Sequence, residues 1–365
     1  MTDAEQNTGF MSCFQLPRGG DLSALTEVVL AGNAASPACR RVPVVGVLLD
    51  EPSSRTRFSV ESASYRLGAQ CIVADLSRTS LAKGESIGDS ARTWARSCDL
   101  LCVRSRITGL PHLISMHAGI PVINLGDGRG EHPTQGLATI VHAISRFGGI
   151  KGLQVCLWGD VKYSRCAHSV MIACVALGAR VVLCARPMGE LPLGLMNLLN
   201  GDEWLGSVRA TDSIEASRCK FDIIYVNRLQ EERRSNCDLT AEEYGRIGIA
   251  DLEHLSPNGC VLHPLPRKEE MDPLVVADPR CLIWEHVNIT YMTRQWLIGQ
   301  YLHEPEARSS AFFIQPFHVP ESGSVCCECA AVLGTTDIPG GLLSRANPGV
   351  CPWCFQELKD EHGRI

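Results

Sequence analysis

Two long stretches of the chain alternate short apolar runs with segments of helix length, and this alternation restricts the fold more than any other feature. The runs are four to six residues long and rich in Val, Ile and Leu, as in strands buried on both faces of a parallel sheet. They fall at 44–49, 71–74, 100–103, 122–125, 155–158, 181–184, 223–226 and 260–263.

The helix-length segments between these runs complete repeated βαβ units. Helices are predicted over 58–67, 86–95 and 110–118, over 134–147 as a joining segment, and near 291–302 as a last helix that returns to the first half. The sequence therefore predicts an α/β protein with two doubly wound parallel-sheet domains, 1–147 and 148–305, joined by interdomain helices. A linker at 306–325 and a small module at 326–365 follow.

Composition narrows the class of protein. Hydrophobic residues make up 45% and charged residues 20%, which excludes a disordered or fibrous chain. The 34 basic and 40 acidic side chains give a net charge of −6, which argues against a generic nucleic-acid binder. The N-terminus shows no secretory signal and no run is long enough to cross a bilayer. We expect a cytoplasmic protein with neither a nucleic-acid nor a membrane partner.

The segment after the first predicted strand has the residues of a phosphate site. It reads Glu51-Pro52-Ser53-Ser54-Arg55-Thr56-Arg57 and opens a helix. Hydroxyls and free amides at a helix N-terminus bind an oxyanion, and Arg55 would add a bidentate partner. The structural alternative is a serine-rich helix cap with surface arginines.

Four further polar segments follow predicted strands or lie close behind them. His132 and Gln135 belong to His-Pro-Thr-Gln, whereas Arg165 and Arg228 follow strands of the second half. Ligands of open α/β sheets bind at the carboxyl ends of the strands, and two arginines there suit two carboxylates. A lone histidine is more often structural. His132 is selected because it lies at a predicted strand-to-helix junction within the His-Pro-Thr-Gln segment. In the segment 263–267 prolines keep the backbone extended and leave carbonyls as acceptors.

Together and in this order, these segments resemble the aspartate/ornithine carbamoyltransferase family, and its aspartate branch in particular. The matching motifs are Ser-Ser-Arg-Thr-Arg at 53–57, Ser80 with Lys-Gly-Glu at 83–85, His-Pro-Thr-Gln at 132–135, Arg-Leu-Gln at 228–230 and His-Pro-Leu-Pro-Arg at 263–267. The likeness covers about residues 20–303.

The resemblance implies two substrates, carbamoyl phosphate and L-aspartate, and no organic cofactor. The domain at 1–147 would bind carbamoyl phosphate, and the domain at 148–305 would bind the amino acid. The residues implied for carbamoyl phosphate are Ser53, Ser54, Arg55, Thr56, Ser80, Arg104, His132, Gln135 and the backbone carbonyls of Pro264 and Leu265. Those implied for aspartate are Lys83, Arg165, Arg228 and Gln230. Arg55, Thr56, Lys83, Arg104 and His132 would be catalytic, with His132 stabilising the charge on the carbonyl oxygen.

The resemblance also implies a homotrimer, or an assembly built from trimers, with shared active sites. Ser80 and Lys83 would come from the neighbouring subunit, and Glu51 would pair with Arg165 and Arg233 when the domains close. The chain departs from the family pattern at Ser54 for threonine, at Ser105 for histidine, and at Ile289 for glycine. The last change makes strict preference for aspartate a weaker expectation than carbamoyl transfer.

The C-terminal module has the cysteine spacing of a structural zinc site. Cys326 and Cys329 are followed, after 21 residues, by Cys351 and Cys354, and Cys327 could replace Cys326 as ligand. A cytosolic disulfide pair is the alternative. The module resembles the zinc domain of the regulatory chain of aspartate carbamoyltransferases, which predicts a role in assembly.

The function expected is therefore transfer of a carbamoyl group to L-aspartate by direct attack of the amine, a step of pyrimidine biosynthesis. Two alternatives stay open from the sequence. One is a carbamoyltransferase of a specialised pathway with another amine acceptor, and the other is a non-catalytic binding protein on the same scaffold.

Overall fold

The computed structural model describes residues 12–13, 22–31, 42–202, 204–233 and 244–303. The predicted linker and the cysteine module with its zinc ligands lie outside these residues. The described chain divides into two compact units. The first contains residues 12–13, 28–31, 42–134 and 291–303, and the second contains the described residues of 22–27 and 135–290. This division falls at 134/135, earlier than the predicted boundary at 147/148.

The first unit is built on a four-stranded parallel sheet, as predicted. Its strands are β1 (Val44–Leu49), β2 (Gln70–Asp75), β3 (Leu100–Ser105) and β4 (Val122–Asp127), in the order β2-β1-β3-β4. Val47 of β1 pairs with Val73 on one side and Cys102 on the other. The prediction that all four strands are buried on both faces is wrong for β2, an edge strand in which Ile72 is 51% exposed. It holds for β4 at the other edge, whose first five residues are buried.

The second unit contains a five-stranded parallel sheet. Its strands are β5 (Gln154–Gly159), β6 (Arg180–Ala185), β7 (Ser207–Ala210), β8 (Phe221–Asn227) and β9 (Leu255–Leu262), in the order β7-β6-β5-β8-β9. The sequence does not predict β7, because Val208 is its one buried residue and no apolar run marks it. His263 follows β9 rather than ending it.

Nine α-helices accompany the two sheets in the described ranges. They are α1 (Ser23–Ala31), α2 (Ser54–Arg66), α3 (Ile87–Ala95), α4 (Leu110–Ala118), α5 (Pro133–Phe147), α6 (Arg165–Ala176), α7 (Leu193–Leu199), α8 (Pro273–Ala277) and α9 (Ile283–His303). Helix α9 begins well before the predicted residue 291, because its buried face before that residue includes the polar His286 and Thr290 and therefore forms no apolar stripe. None of these helices has the length and apolarity to span a membrane.

Each sheet has a point where the strand order reverses. In the first sheet β1 and β3 are neighbours, and in the second sheet β5 and β8 are neighbours, although neither pair is consecutive in the chain. Loops at the carboxyl ends of such strands leave in opposite directions and open a crevice for ligands. The polar segments predicted from the sequence follow these four strands, or β4 and β9 beside them.

Candidate active site

The N-terminus of α2 carries the predicted phosphate segment. Ser53 is the N-cap: its Oγ lies 3.4 Å from the Thr56 backbone nitrogen and donates to Thr56 Oγ1 at 2.9 Å. Ser54 and Arg55 are exposed in the first turn. The helix thus begins four residues earlier than predicted, and its first turn itself presents the hydroxyl, amide and guanidinium donors.

Arg104, near the end of β3, joins this helix to the neighbouring strands. Its Nη1 donates to Thr56 Oγ1 at 3.2 Å and to the Leu125 carbonyl at 3.3 Å. Its Nη2 lies 2.7 Å from Glu51 Oε1, with both side chains less than a fifth exposed. The structure therefore pairs Glu51 inside its own unit. The pairing of Glu51 with Arg165 and Arg233 stays a prediction.

His132 is buried at the start of α5 and contacts an arginine that the sequence analysis did not select. His132 Nε2 lies 3.3 Å from Arg294 Nη2, and Nδ1 lies 3.3 Å from Thr134 Oγ1. Arg294 Nη1 also donates to Ser59 Oγ at 2.8 Å, and Ser59 Oγ donates to the Thr56 carbonyl at 2.9 Å. Arg294 thus connects His132 to the first turns of α2.

The turn before His132 is held by a buried carboxylate and by close backbone packing. Glu131 accepts from the Cys13 backbone nitrogen at 3.0 Å and from the Ser12 hydroxyl. Gly128 has φ +47°, and a Cβ there would lie 2.3 Å from Thr108 Oγ1. Glu131 and Gly128 therefore stabilise this turn, and no sequence motif predicted either role.

Ser80 and Lys83 lie on a short 3₁₀ helix of the first unit, and both are exposed. Gly84 ends this helix with φ +87°, a left-handed conformation that suits glycine. Ser90 Oγ donates to Glu85 Oε2 at 2.5 Å, which ties the segment to α3. The side chains of Ser80 and Lys83 are therefore accessible to another molecule.

In the second unit Arg165 is the first residue of α6 and is 2% exposed. Ser164, the N-cap of this helix, donates to Asn227 Oδ1 at the end of β8 at 2.9 Å. The helix that carries Arg165 is therefore attached to the strand that precedes Arg228. Both arginines lie at the carboxyl ends of the two switch-point strands.

Arg228 and Gln230 are fixed by carboxylates. Arg228 forms a two-point ion pair with Glu232, with N–O distances of 3.0 and 2.5 Å. Burial alone would raise the pKa of Glu232, but the hydrogen bonds from Arg228 prevail and lower that pKa to about 2. The Gln230 backbone nitrogen donates to Asp160 Oδ2 at 3.0 Å, and Arg233 Nη1 donates to the Tyr163 carbonyl at 3.0 Å.

The segment after β9 turns sharply around His263. The Leu265 backbone nitrogen donates to His263 Nδ1 at 2.8 Å, so Nε2 carries the proton and donates to Glu270 Oε1 at 2.9 Å. Burial lowers the pKa of His263, while the hydrogen bond from His263 helps to keep Glu270 ionised. Leu265 has φ +58°, a strained left-handed conformation for a bulky side chain, so the prediction that prolines keep this segment extended is wrong at this residue. His263 thus supports the backbone of Pro264 and Leu265.

Gln135, in the first turn of α5, belongs to the second unit and is 5% exposed. Its Nε2 lies 2.8 Å from His286 Nε2. The structure therefore groups the predicted residues in two sets. Ser53, Ser54, Arg55, Thr56, Arg104 and His132 are in the first unit, and Gln135, Arg165, Arg228, Gln230, Pro264 and Leu265 are in the second.

Two parallel sheets, each with arginines at the carboxyl ends of its switch-point strands, define a two-unit α/β protein that binds anionic ligands. Comparisons with known proteins make this class specific. The chain matches the carbamoyl-phosphate-binding domain of the aspartate/ornithine carbamoyltransferases over residues 24–144 and their aspartate/ornithine-binding domain over residues 151–298.

Individual relatives agree with these matches. The aspartate carbamoyltransferase catalytic subunit of Methanothermobacter thermautotrophicus is 35% identical over 70% of this chain and 81% of its own length. That of Thermoplasma volcanium is 30% identical over 82% of this chain and 96% of its own. A crystal structure of Trypanosoma cruzi aspartate transcarbamoylase with carbamoyl phosphate and aspartate is 26% identical, with a TM-score of 0.71, over 81% of this chain and 97% of its own.

The chain belongs to the aspartate/ornithine carbamoyltransferase family. The family prediction from the sequence motifs is thereby confirmed, as is the prediction of two parallel-sheet domains. The roles of individual site residues, the trimer and the zinc module stay predictions.

Proposed function

We propose that this protein transfers the carbamoyl group of carbamoyl phosphate to L-aspartate and releases N-carbamoyl-L-aspartate and phosphate, a step of pyrimidine biosynthesis. The observation that carries the proposal is the junction of Arg104 with Thr56 at the N-terminus of α2. It concentrates guanidinium, hydroxyl and amide donors where a phosphate dianion would bind. The relatives named above are aspartate carbamoyltransferases, which supports aspartate as the acceptor.

The first unit supplies the ligands of the donor substrate. Ser53, Ser54, Arg55 and Thr56 hold the phosphate, and Arg104 reaches both the phosphate and the carbonyl oxygen. The ion pair between Arg104 and Glu51 keeps this guanidinium oriented before the substrate binds. Orientation in advance reduces the free energy spent on ordering the site during catalysis.

His132 stabilises the negative charge that develops on the carbonyl oxygen when the amine attacks. The direct attack needs no covalent intermediate, because the departing phosphate accepts the proton of the amine. The two ring nitrogens contact Arg294 and Thr134, which hold the imidazole in place. One of these contacts is exchanged when a ring N–H donates to the carbonyl oxygen.

The second unit supplies the ligands of aspartate. Arg165 and Arg228 bind the two carboxylates, and Gln230 adds an amide. The two-point contact with Glu232 restrains the Arg228 guanidinium, so little conformational entropy is lost when a carboxylate binds.

The decisive assay measures phosphate release from carbamoyl phosphate with a panel of amines. Turnover with aspartate alone is the expected result, whereas turnover with another amine would replace the acceptor, and no turnover with any amine would refute the enzyme assignment. Arg228→Ala should raise the KM for aspartate at least tenfold, since a charged hydrogen bond is lost. Arg218→Ala, at an exposed arginine of the same unit, is the matched control.

A homotrimer with shared active sites is also proposed. Ser80 and Lys83 are exposed on the first unit, and α2 exposes Phe58 (71%) and Tyr65 (84%) two turns apart, as an interface face would. Mixed assemblies of the inactive variants Lys83→Ala and His132→Ala should recover about a quarter of wild-type activity if neighbouring subunits share sites. No recovery after subunit exchange would place both residues in one chain's site.

We further propose that Cys326, Cys329, Cys351 and Cys354 bind one structural zinc ion. The spacing of the two cysteine pairs, with 21 residues between Cys329 and Cys351, supports this proposal. Elemental analysis of the full chain should give one zinc per chain, and Cys351→Ser should lower this zinc content.

We also propose a cytoplasmic location. The 11 described cysteines are all free, which suits a reducing compartment such as the cytoplasm.

A further inference from the structure

A group of buried polar side chains lies behind Gln135 in the second unit. Thr139 and His142 come from α5, Tyr225 from β8 and His286 from α9. Each of these four side chains is at most 1% exposed. None belongs to a motif of the donor or acceptor site, yet His286 directly contacts a residue proposed to bind the donor substrate.

The contacts of the Gln135 carboxamide determine its orientation. Its Nε2 lies 2.8 Å from His286 Nε2 and 3.5 Å from Thr290 Oγ1. Thr290 Oγ1 already donates its proton to the His286 carbonyl at 2.8 Å, so toward Gln135 it acts as an acceptor. An imidazole nitrogen that faces an amide N–H must also accept. Both contacts therefore suit the NH₂ end of the carboxamide.

The protonation state of His286 supports the same orientation. Burial, and then the facing His142, keep the pKa of His286 well below its ordinary value, so the ring is neutral. The Tyr225 ring packs edge-on against His286, and burial raises the pKa of Tyr225. The half-exposed Glu285, on the same helix as His286, lies beside His142.

With Nε2 as the acceptor from Gln135, the single proton of the His286 ring is on Nδ1, which has no hydrogen-bond partner among the described residues. Thr139 Oγ1, which donates to the Gln135 carbonyl at 2.9 Å, lies 3.4 Å from the same Nε2 and is the more distant neighbour.

We propose that His286 is a positioning residue that fixes the Gln135 carboxamide with its oxygen toward the carbamoyl group. Both hydrogens of the amide are directed to α9, and the oxygen accepts from the donor's NH₂ group. The inference rests on the proposed function and on the contact between Gln135 and carbamoyl phosphate that the family resemblance implies. It predicts selection of a donor that carries N–H at this position, and hence of carbamoyl phosphate over acetyl phosphate.

The test compares kcat/KM for carbamoyl phosphate with that for acetyl phosphate, both with aspartate as acceptor. His286→Leu lets the carboxamide rotate, and the ratio should fall about threefold to tenfold, as expected for one hydrogen bond. His286→Gln places an amide oxygen near the former Nε2 and should retain the ratio. His142→Leu removes the neighbouring buried imidazole and should also retain it, which separates orientation of Gln135 from general packing.

A second comparison protects the test from a folding defect. His286→Asn keeps a polar amide that ends short of the Nε2 position, so it should lower the ratio as His286→Leu does. Calorimetric titration of each folded variant with carbamoyl phosphate and acetyl phosphate measures the same preference without turnover. An unchanged ratio in both His286→Asn and His286→Leu overturns the role of His286. Absence of turnover in the wild type would instead overturn the proposed function.

Discussion

The buried His142 should make the protein lose stability as the pH falls from 7 to 5. Its side chain is 0% exposed, and burial, together with the nearby Arg146, lowers its pKa from the ordinary 6.5 to about 4. Glu285 lies 3.8 Å from Nδ1, but its half-exposed carboxylate is too well hydrated to reverse the effect of burial. In the unfolded chain His142 titrates near its ordinary pKa.

Between these two pKa values the unfolded chain binds a proton that the folded chain does not, so acid favours unfolding. The full gap corresponds to about 3 kcal/mol, and between pH 7 and pH 5 the expected loss is about 2 kcal/mol. Above the ordinary pKa both states are neutral at this ring, and the contribution disappears.

Urea unfolding followed by circular dichroism at pH 7 and pH 5 measures this loss. The protein concentration is held fixed because assembly contributes to apparent stability. His142→Phe and His142→Gln should each reduce the pH-dependent loss by about 2 kcal/mol, although their stabilities at pH 7 will differ. If the wild type and both variants lose the same free energy of unfolding between the two pH values, His142 does not titrate as its burial requires.

Three further changes test other parts of the structure. Gly128→Ala should lower the free energy of unfolding by about 1–3 kcal/mol, because its Cβ would collide with Thr108 at positive φ; a thermal melt equal to that of the wild type would contradict this. Glu270→Gln should weaken the support of His263 and lower kcat for carbamoyl transfer about tenfold, with little change in the KM for aspartate, as steady-state kinetics can show. Arg294→Lys keeps the charge but loses the planar fork, and should lower kcat about tenfold; retention of full activity would exclude a positioning role.

Much of the framework follows from local sequence patterns. The apolar runs predicted eight of the nine strands in the described ranges, because strands buried in parallel sheets need no polar alternation. The serine cap after β1 was also predicted, and the structure confirms Ser53 as the N-cap of α2. Strand β7 was missed because a short edge strand buries too little apolar surface to leave a pattern.

The residues that hold the site residues in place could not be predicted from the sequence, for a different reason. Arg294, His286 and Asp160 act on residues that lie 70 to 235 positions away in the chain. No periodicity or local spacing records such a contact, and each residue alone resembles an ordinary polar member of a helix or loop. They were found only from hydrogen-bond geometry and burial.

The contacts of Arg294 also determine when the first unit can be completed during synthesis. Ser59 and His132 leave the ribosome long before α9, whose residues from 291 onward belong to the first unit. A nascent chain that ends before α9 lacks the Arg294 guanidinium that links His132 to α2. Translation therefore completes the first unit only after all residues of the second unit have been made.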